Sequence, residues 1–193
     1  MSVPPSTIEP AHHPRVVVVY GDSITEGLDL PLTERHHLWV RTVETRSGGR
    51  LRLINEGKGG RPTDSQPEFE AALARNPRAD VLVLALGGND ARDITDACVP
   101  KALANLRTLI TRGRQAYGPD LRILLVAPTN IRKDSLGPTR PIANERDAKL
   151  RELGAAYVGL AAELGCACVS LYGVVPPETL TVDGVHPLSL IHI

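Results

Sequence analysis

The sequence predicts an α/β domain built on a mostly parallel sheet with helices on both faces, and three observations carry that reading. Two apolar runs, VVVVY at 16–20 and ADVLVLAL at 79–86 with Asp80 its one polar residue, are β-rich and too short for helices, so they read as strands buried on both sides. Helical patterns of ten or more residues separate successive strands, as βαβ crossovers require. Each strand also breaks into a cluster of Gly, Asn, Asp or Ser, and the carboxyl edge of an open α/β sheet is where ligands bind.

The elements follow in order. Residues 1–14, with four prolines and the pair His12-His13, form an irregular arm. The first strand halts at Gly21-Asp22-Ser23, and residues 24–30 open the next element, with Gly27 allowing close approach. A helix is predicted over 36–47, with Leu38, Trp39 and Val43 at helical spacing and Gly48-Gly49 ending it; Trp39 is assigned to the core. Leu51, Leu53 and Ile54 make a second strand that runs into the glycine-rich stretch 57–60. A helix from Asp64 through Phe69, Ala72 and Leu73 stops near Asn76-Pro77. The third strand breaks at Gly87-Gly88-Asn89-Asp90. An amphipathic helix over 95–117 places Leu103, Leu106 and Ile110 on one face. Residues 121–127 form the fourth strand, 143–164 the last helix and 166–171 the fifth strand.

At 193 residues the chain fits one domain, here 15–193, large enough to bury a core. Lys plus Arg equals Asp plus Glu at 22 each, which argues against a nucleic-acid partner or an anionic membrane surface. No apolar run is long enough to span a bilayer and no signal peptide is visible, so a cytoplasmic location is expected. Cys98, Cys166 and Cys168 are an odd, sparse set, read as buried free thiols in a reducing compartment. The pairs His12-His13 and His36-His37 lack the spacing of a closed metal site, so no metal is expected.

The chemistry lies at the strand ends. Ser23, Gly60, Asn89 and the late pair Asp183 and His186 supply a nucleophile, a backbone N–H, a side-chain amide and an acid–imidazole couple, the parts needed for acyl transfer. A serine hydroxyl needs a base, which His186 provides. Asp183, three residues earlier across a glycine, can fix the ring. Ser23 N–H, Gly60 N–H and the Asn89 amide can form an oxyanion hole. Taken singly, Ser23 also reads as a helix N-cap with Glu26 completing a capping box, Gly60 as a turn glycine and Asn89 as a turn residue. Asp22 and Asp90 are expected to brace their loops through backbone amides. Arg61 and Asp22 are carried as substrate-binding candidates, and Arg92, Arg132 and Arg140 fall in loops at the same edge. The dinucleotide fingerprint G-x-G-x-x-G and the elbow G-x-S-x-G are both absent.

With these motifs in order, GDSITEG, GKGGRPT, GGND and DGVHP, the chain resembles the SGNH hydrolases, the GDSL-type esterase and lipase superfamily, over 16–187. The resemblance implies a three-layer α/β/α, flavodoxin-like fold with a five-stranded parallel sheet. It also implies serine esterase chemistry without a cofactor, with Ser23, Gly60, Asn89, Asp183 and His186 in the roles above. Members usually continue past the histidine block into a terminal helix, which this chain, ending in SLIHI, is expected to lack. Short-acyl esters, including acetyl esters of carbohydrates, are the expected small-molecule substrates. The alternatives are a lysophospholipase or thioesterase, favoured if a long apolar groove flanks Ser23, and a non-catalytic binding protein on the same fold.

Overall fold

Five strands, β1 (Arg15–Gly21), β2 (Leu51–Gly57), β3 (Val81–Ala85), β4 (Arg122–Ala127) and β5 (Ala167–Ser170), form one wholly parallel sheet in the order β2-β1-β3-β4-β5. The computed structural model describes residues 13–27 and 30–187. The expectations for the arm before His13 and for the 188–193 tail lie outside the described residues. The strand order is flavodoxin-like, and it reverses beside β1, so the loops after β1 and β3 open a crevice between them. Register keeps the carboxyl ends level: Gly21 lies opposite both Gly57 and Ala85, and Ala85 opposite Val126.

The alternation of each strand divides the core in two. Val18, Tyr20, Leu82, Leu84 and Leu125 face α3 (Gln66–Arg75), α4 (Cys98–Tyr117) and α5 (Ala143–Leu164), which contribute Phe69, Leu106, Ile110, Leu153 and Tyr157. Val17, Val19, Leu53 and Val83 face the opposite way, against Leu38 and Val40 of the segment leading into and through α2 (Trp39–Arg46). That second layer is thinner. Leu124 and Val126 are only half-buried, Val169 is 42% exposed, and a groove of about 300 Å³ runs between them, Trp39 and Val43. Among the described residues, no helix is long and apolar enough to cross a membrane.

Several boundaries differ from the sequence reading for identifiable reasons. The helix expected from His36 starts at Trp39, after a separate 3-10 turn over Leu32–His37. Leu38 interrupts it in an extended conformation (φ −54°, ψ 132°) because its side chain turns down into the core. Trp39 consequently packs against the core only half-buried, with part of the ring lining the groove. The helix expected from Thr95 starts at Cys98, since the Asp93 carboxylate accepts from both the N–H and the hydroxyl of Thr95 and holds that stretch in a turn. Cys98 is buried as expected, whereas Cys166 and Cys168 are half-buried; all three thiols are free.

The short α1 (Ser23–Glu26) lies directly on the end of β2, and Gly57 makes that approach possible. A Cβ there would strike the backbone nitrogen of Glu26 and stand 2.6 Å from the carbonyl carbon of Thr25. Backbone cannot step aside as a flexible side chain can. Gly57→Ala is therefore expected to cost about 1–3 kcal/mol, read as a fall of several degrees in the thermal midpoint. An unchanged midpoint would contradict this packing.

Candidate active site

The chain leaves β1 at Gly21 and turns at once into α1, which puts Ser23 at the first helical position. Asp22, not Ser23, is the N-cap: its Oδ1 accepts from the Ile24 N–H at 3.0 Å. Glu26 does not close a capping box either, since its carboxylate accepts from the Gly59 N–H at 2.6 Å and ties the loop after β2 to α1. The Ser23 hydroxyl is thereby released from helix duty. It stands 2.7 Å from Nε2 of His186.

His186 reaches Ser23 from the other end of the chain because its loop is braced internally. Oδ1 of Asp183 accepts from the Thr181 hydroxyl (2.5 Å), the Val185 N–H (2.8 Å) and the His186 N–H (3.1 Å). Gly184 takes the left-handed conformation (φ 75°) that closes this turn, and the Arg132 N–H donates to its carbonyl at 2.8 Å. Oδ2 of Asp183 lies 2.5 Å from Nδ1 of His186. Burial would raise the Asp183 pKa, but the hydrogen bonds from Thr181, Val185 and His186 outweigh it and hold the carboxyl well below the usual carboxylate range. An ionised carboxylate only accepts, so Nδ1 carries the ring proton and Nε2 presents its lone pair to the serine hydroxyl.

The remaining strand ends supply Gly60 and Asn89. Both line a pocket of about 460 Å³ together with Ser23, Asp183 and His186. Gly60 sits at φ 73°, so its peptide is held in a turn that other residues adopt poorly. The Asn89 amide donates to the Arg61 carbonyl at 3.1 Å, which fixes it beside the Gly60 loop. Asp90 braces that loop as expected. Its carboxylate accepts from the N–H and hydroxyl of Thr63, and burial raises its pKa against those bonds.

Arg61 is a correction. Its guanidinium is buried, stacked over the Tyr20 ring at 4.0 Å, donating to the carbonyls of Gly21 (2.7 Å) and Glu56 and to Glu68 (3.1 Å). Those contacts pin the ends of β1 and β2, and Arg61 does not line the pocket that holds Ser23. Arg132 is likewise turned inward, donating to the Leu180 carbonyl at 3.2 Å, and Arg140 is an exposed loop residue. Arg92 does line the pocket.

The pocket also holds a residue that the sequence reading passed over, Arg146 in the first turn of α5. It is buried, donating to the Thr139 hydroxyl (2.7 Å) and the Gly88 carbonyl (2.9 Å), and burial followed by the field of Arg92 lowers its pKa to about 10. Arg146 precedes Leu150 by four residues and Leu153 by seven, which places it on the buried stripe of the helix; that spacing was a visible signal.

Asp22 lines the same pocket, and burial pushes its carboxyl up to about 6, against the hydrogen bond from Ile24. The native state then binds more protons than the unfolded chain between about pH 4 and 6, so this group's contribution to stability falls as pH rises through that window. Asp22→Asn keeps a capping oxygen and removes the buried charge. It is expected to stabilise the protein at pH 8 by up to about 3 kcal/mol and by less at pH 5. Urea unfolding at the two pH values measures this, and an equal effect at both would contradict it.

Comparison with known proteins agrees with the fold. A carbohydrate acetylesterase family member from Sinorhizobium meliloti superposes with a TM-score of 0.70 at 23% identity, covering 90% of this chain and 89% of that one. Est24, a carbohydrate acetylesterase from the same organism, gives 0.73 at 20% identity and 91% coverage of both chains. The M. smegmatis aryl esterase gives 0.72 at 22% identity, over 89% of this chain and 90% of that one. No curated protein sequence matches the chain. Residues 19–192, from the last three residues of β1 onward, match the family model of the GDSL-like lipases and acylhydrolases, and the chain belongs to that family.

Proposed function

We propose that the protein is a serine esterase that hydrolyses short-acyl carboxylic esters, acetyl esters of carbohydrates among them, through an acyl-enzyme on Ser23. The observation that carries this reading is the line of contacts from the Asp183 carboxylate through the His186 ring to the Ser23 hydroxyl. As Ser23 Oγ forms its bond to the ester carbon, its proton passes to Nε2, and Asp183 stabilises the resulting imidazolium. The carbonyl oxygen gains charge and is met by Ser23 N–H, Gly60 N–H and the Asn89 amide. The bond to the alcohol oxygen then breaks, and that oxygen takes the proton from Nε2. Water repeats the sequence: it gives a proton to His186, its oxygen attacks the acyl carbon, and Ser23 recovers its proton as the acid leaves.

The names of two structural neighbours, both carbohydrate acetylesterases, support small acyl groups. The pocket holding Ser23 sets polar groups such as Asn89, Thr129 and Arg146 among apolar ones such as Ile131, Ile142 and Leu150. One observation favours longer chains: the apolar groove beside Trp39 shares Asp22, Ile24, Pro128 and Thr129 with that pocket. A panel of 4-nitrophenyl esters from acetyl to decanoyl decides between the two. The expected result is kcat/KM falling with chain length; a rise toward decanoyl rejects the short-acyl reading. Covalent labelling by a fluorophosphonate, lost in Ser23→Ala, separates either from a binding protein. Asn89→Ala is expected to lower kcat by about 10²–10³ with little change in KM, and a smaller kcat effect would remove Asn89 from the oxyanion hole.

A further inference from the structure

Arg92 and Arg146 stand in the pocket beside Ser23, and neither makes an ion pair with any described residue. Other arginines of the chain, Arg61, Arg75, Arg107 and Arg112, each rest against a glutamate. Arg146 is only 3% exposed, its two hydrogen bonds go to neutral oxygens, and its buried Nε has no partner. The two acids of the pocket are committed elsewhere, Asp183 to His186 and its own turn, Asp22 to Ile24. Two like charges that feel one another, one of them buried with no carboxylate at ion-pair distance and only the fields of Asp183 and Asp22 to offset its burial, are an unfavourable arrangement in an empty pocket. An anion arriving there would relieve it.

We propose that Arg92 and Arg146 form a subsite for a carboxylate carried by the substrate, so that the enzyme prefers esters with an anionic group close to the scissile bond. This rests on the esterase reading and specifies its substrate class. A guanidinium matches a carboxylate through paired N–H donors, and Arg92, exposed on the turn that follows Asn89, is free to swing toward it. The subsite is near the reacting carbon: the carbonyl that Arg146 holds belongs to Gly88, the residue before Asn89. Charge at that distance also steers an anionic substrate in, which makes the preference sensitive to salt.

The test compares matched esters with the purified full chain. On the alcohol side the pair is 4-acetoxybenzoate and its methyl ester; on the acyl side it is monomethyl succinate and methyl butyrate. In at least one pair the anionic ester is expected to have a kcat/KM about tenfold higher, carried by KM, and the advantage should shrink as salt is raised. Arg92→Gln should bring that ratio close to one. The exposed Arg92 is the primary variant because Arg146→Gln could fail to fold. Equal or faster turnover of the neutral ester in both pairs overturns the subsite while leaving the esterase reading intact. So does an unchanged ratio in Arg92→Gln with both esters slowed alike, which would mean that the arginines act on the oxyanion instead. If no ester is turned over and Ser23 resists fluorophosphonate, the esterase reading fails, and the subsite fails with it.

Discussion

Ser23→Ala is expected to lower kcat/KM for 4-nitrophenyl acetate by about 10⁴–10⁶ while leaving the thermal midpoint within a few degrees of the parent. The size of the loss follows from what the hydroxyl is proposed to do. It supplies the atom that bonds to the acyl carbon, and it stands 2.7 Å from Nε2 of His186. What survives is the catalysis that the oxyanion donors and binding alone provide. The small stability effect follows from the local structure. Asp22 caps α1, Gly27 ends it in a left-handed conformation, and alanine is well tolerated at the first helical position. A comparable rate in Ser23→Ala would reject the acyl-enzyme. A rate loss accompanied by a collapse of the thermal midpoint would leave folding as the explanation, and the comparison of both readouts is what separates them.

The fold was legible because its two central strands have no polar residue to hide. Val17 to Tyr20 and Leu82 to Leu84 are buried from both layers, and only a sheet covered on each face asks for such runs. The final helix was read to the residue, 143–164, since proline and glycine punctuation surrounds it. Boundaries failed where a side chain overrode periodicity. Leu38 fits a helical pattern, yet it is pulled into the core by tertiary packing, and Thr95 fits one too until Asp93 captures its backbone. Single-residue patterns carry no information on such competitions.

The site divides in the same way. Ser23, Gly60, Asn89, Asp183 and His186 could be singled out because each falls where a strand or turn ends, and the parallel register then brings those ends level. The arginines were harder. Charge in a loop gives no direction, so Arg61 looked like a substrate contact until its carbonyl and glutamate partners were placed around it. Arg146 was passed over although it sits on the apolar stripe of α5. The difference between a guanidinium that bolts strands together and one left without a counter-ion is set by neighbours distant in sequence: 40 residues for Arg61 and Gly21, 58 for Arg146 and Gly88. Pocket chemistry of this kind becomes readable only after the fold.

Asp183→Asn gives the second large effect, a fall in kcat of about 10⁴ with KM nearly unchanged. The substitution is nearly isosteric, and the amide oxygen can keep the position of Oδ1, still accepting from Thr181, Val185 and the His186 N–H. The turn therefore persists. The amide nitrogen then faces Nδ1 of His186 in place of Oδ2, and two donors cannot share that contact. The ring responds by moving its proton to Nε2, where it donates to Ser23 and can no longer accept. Asp183→Ala, by contrast, removes the turn's acceptor as well and should lower both the rate and the thermal midpoint. The pH profile adds an independent check. Because the native Asp183 pKa is depressed, its stabilising contribution is complete above its unfolded value near 3.8 and is lost only as pH falls further through the folded value. Activity lost on acidification between pH 7 and 5 accordingly does not come from protonation of Asp183. A kcat within about tenfold of the parent for Asp183→Asn, in a protein whose midpoint is unchanged, would mean that the imidazole keeps its working tautomer without the carboxylate and that the proposed role of Asp183 is wrong.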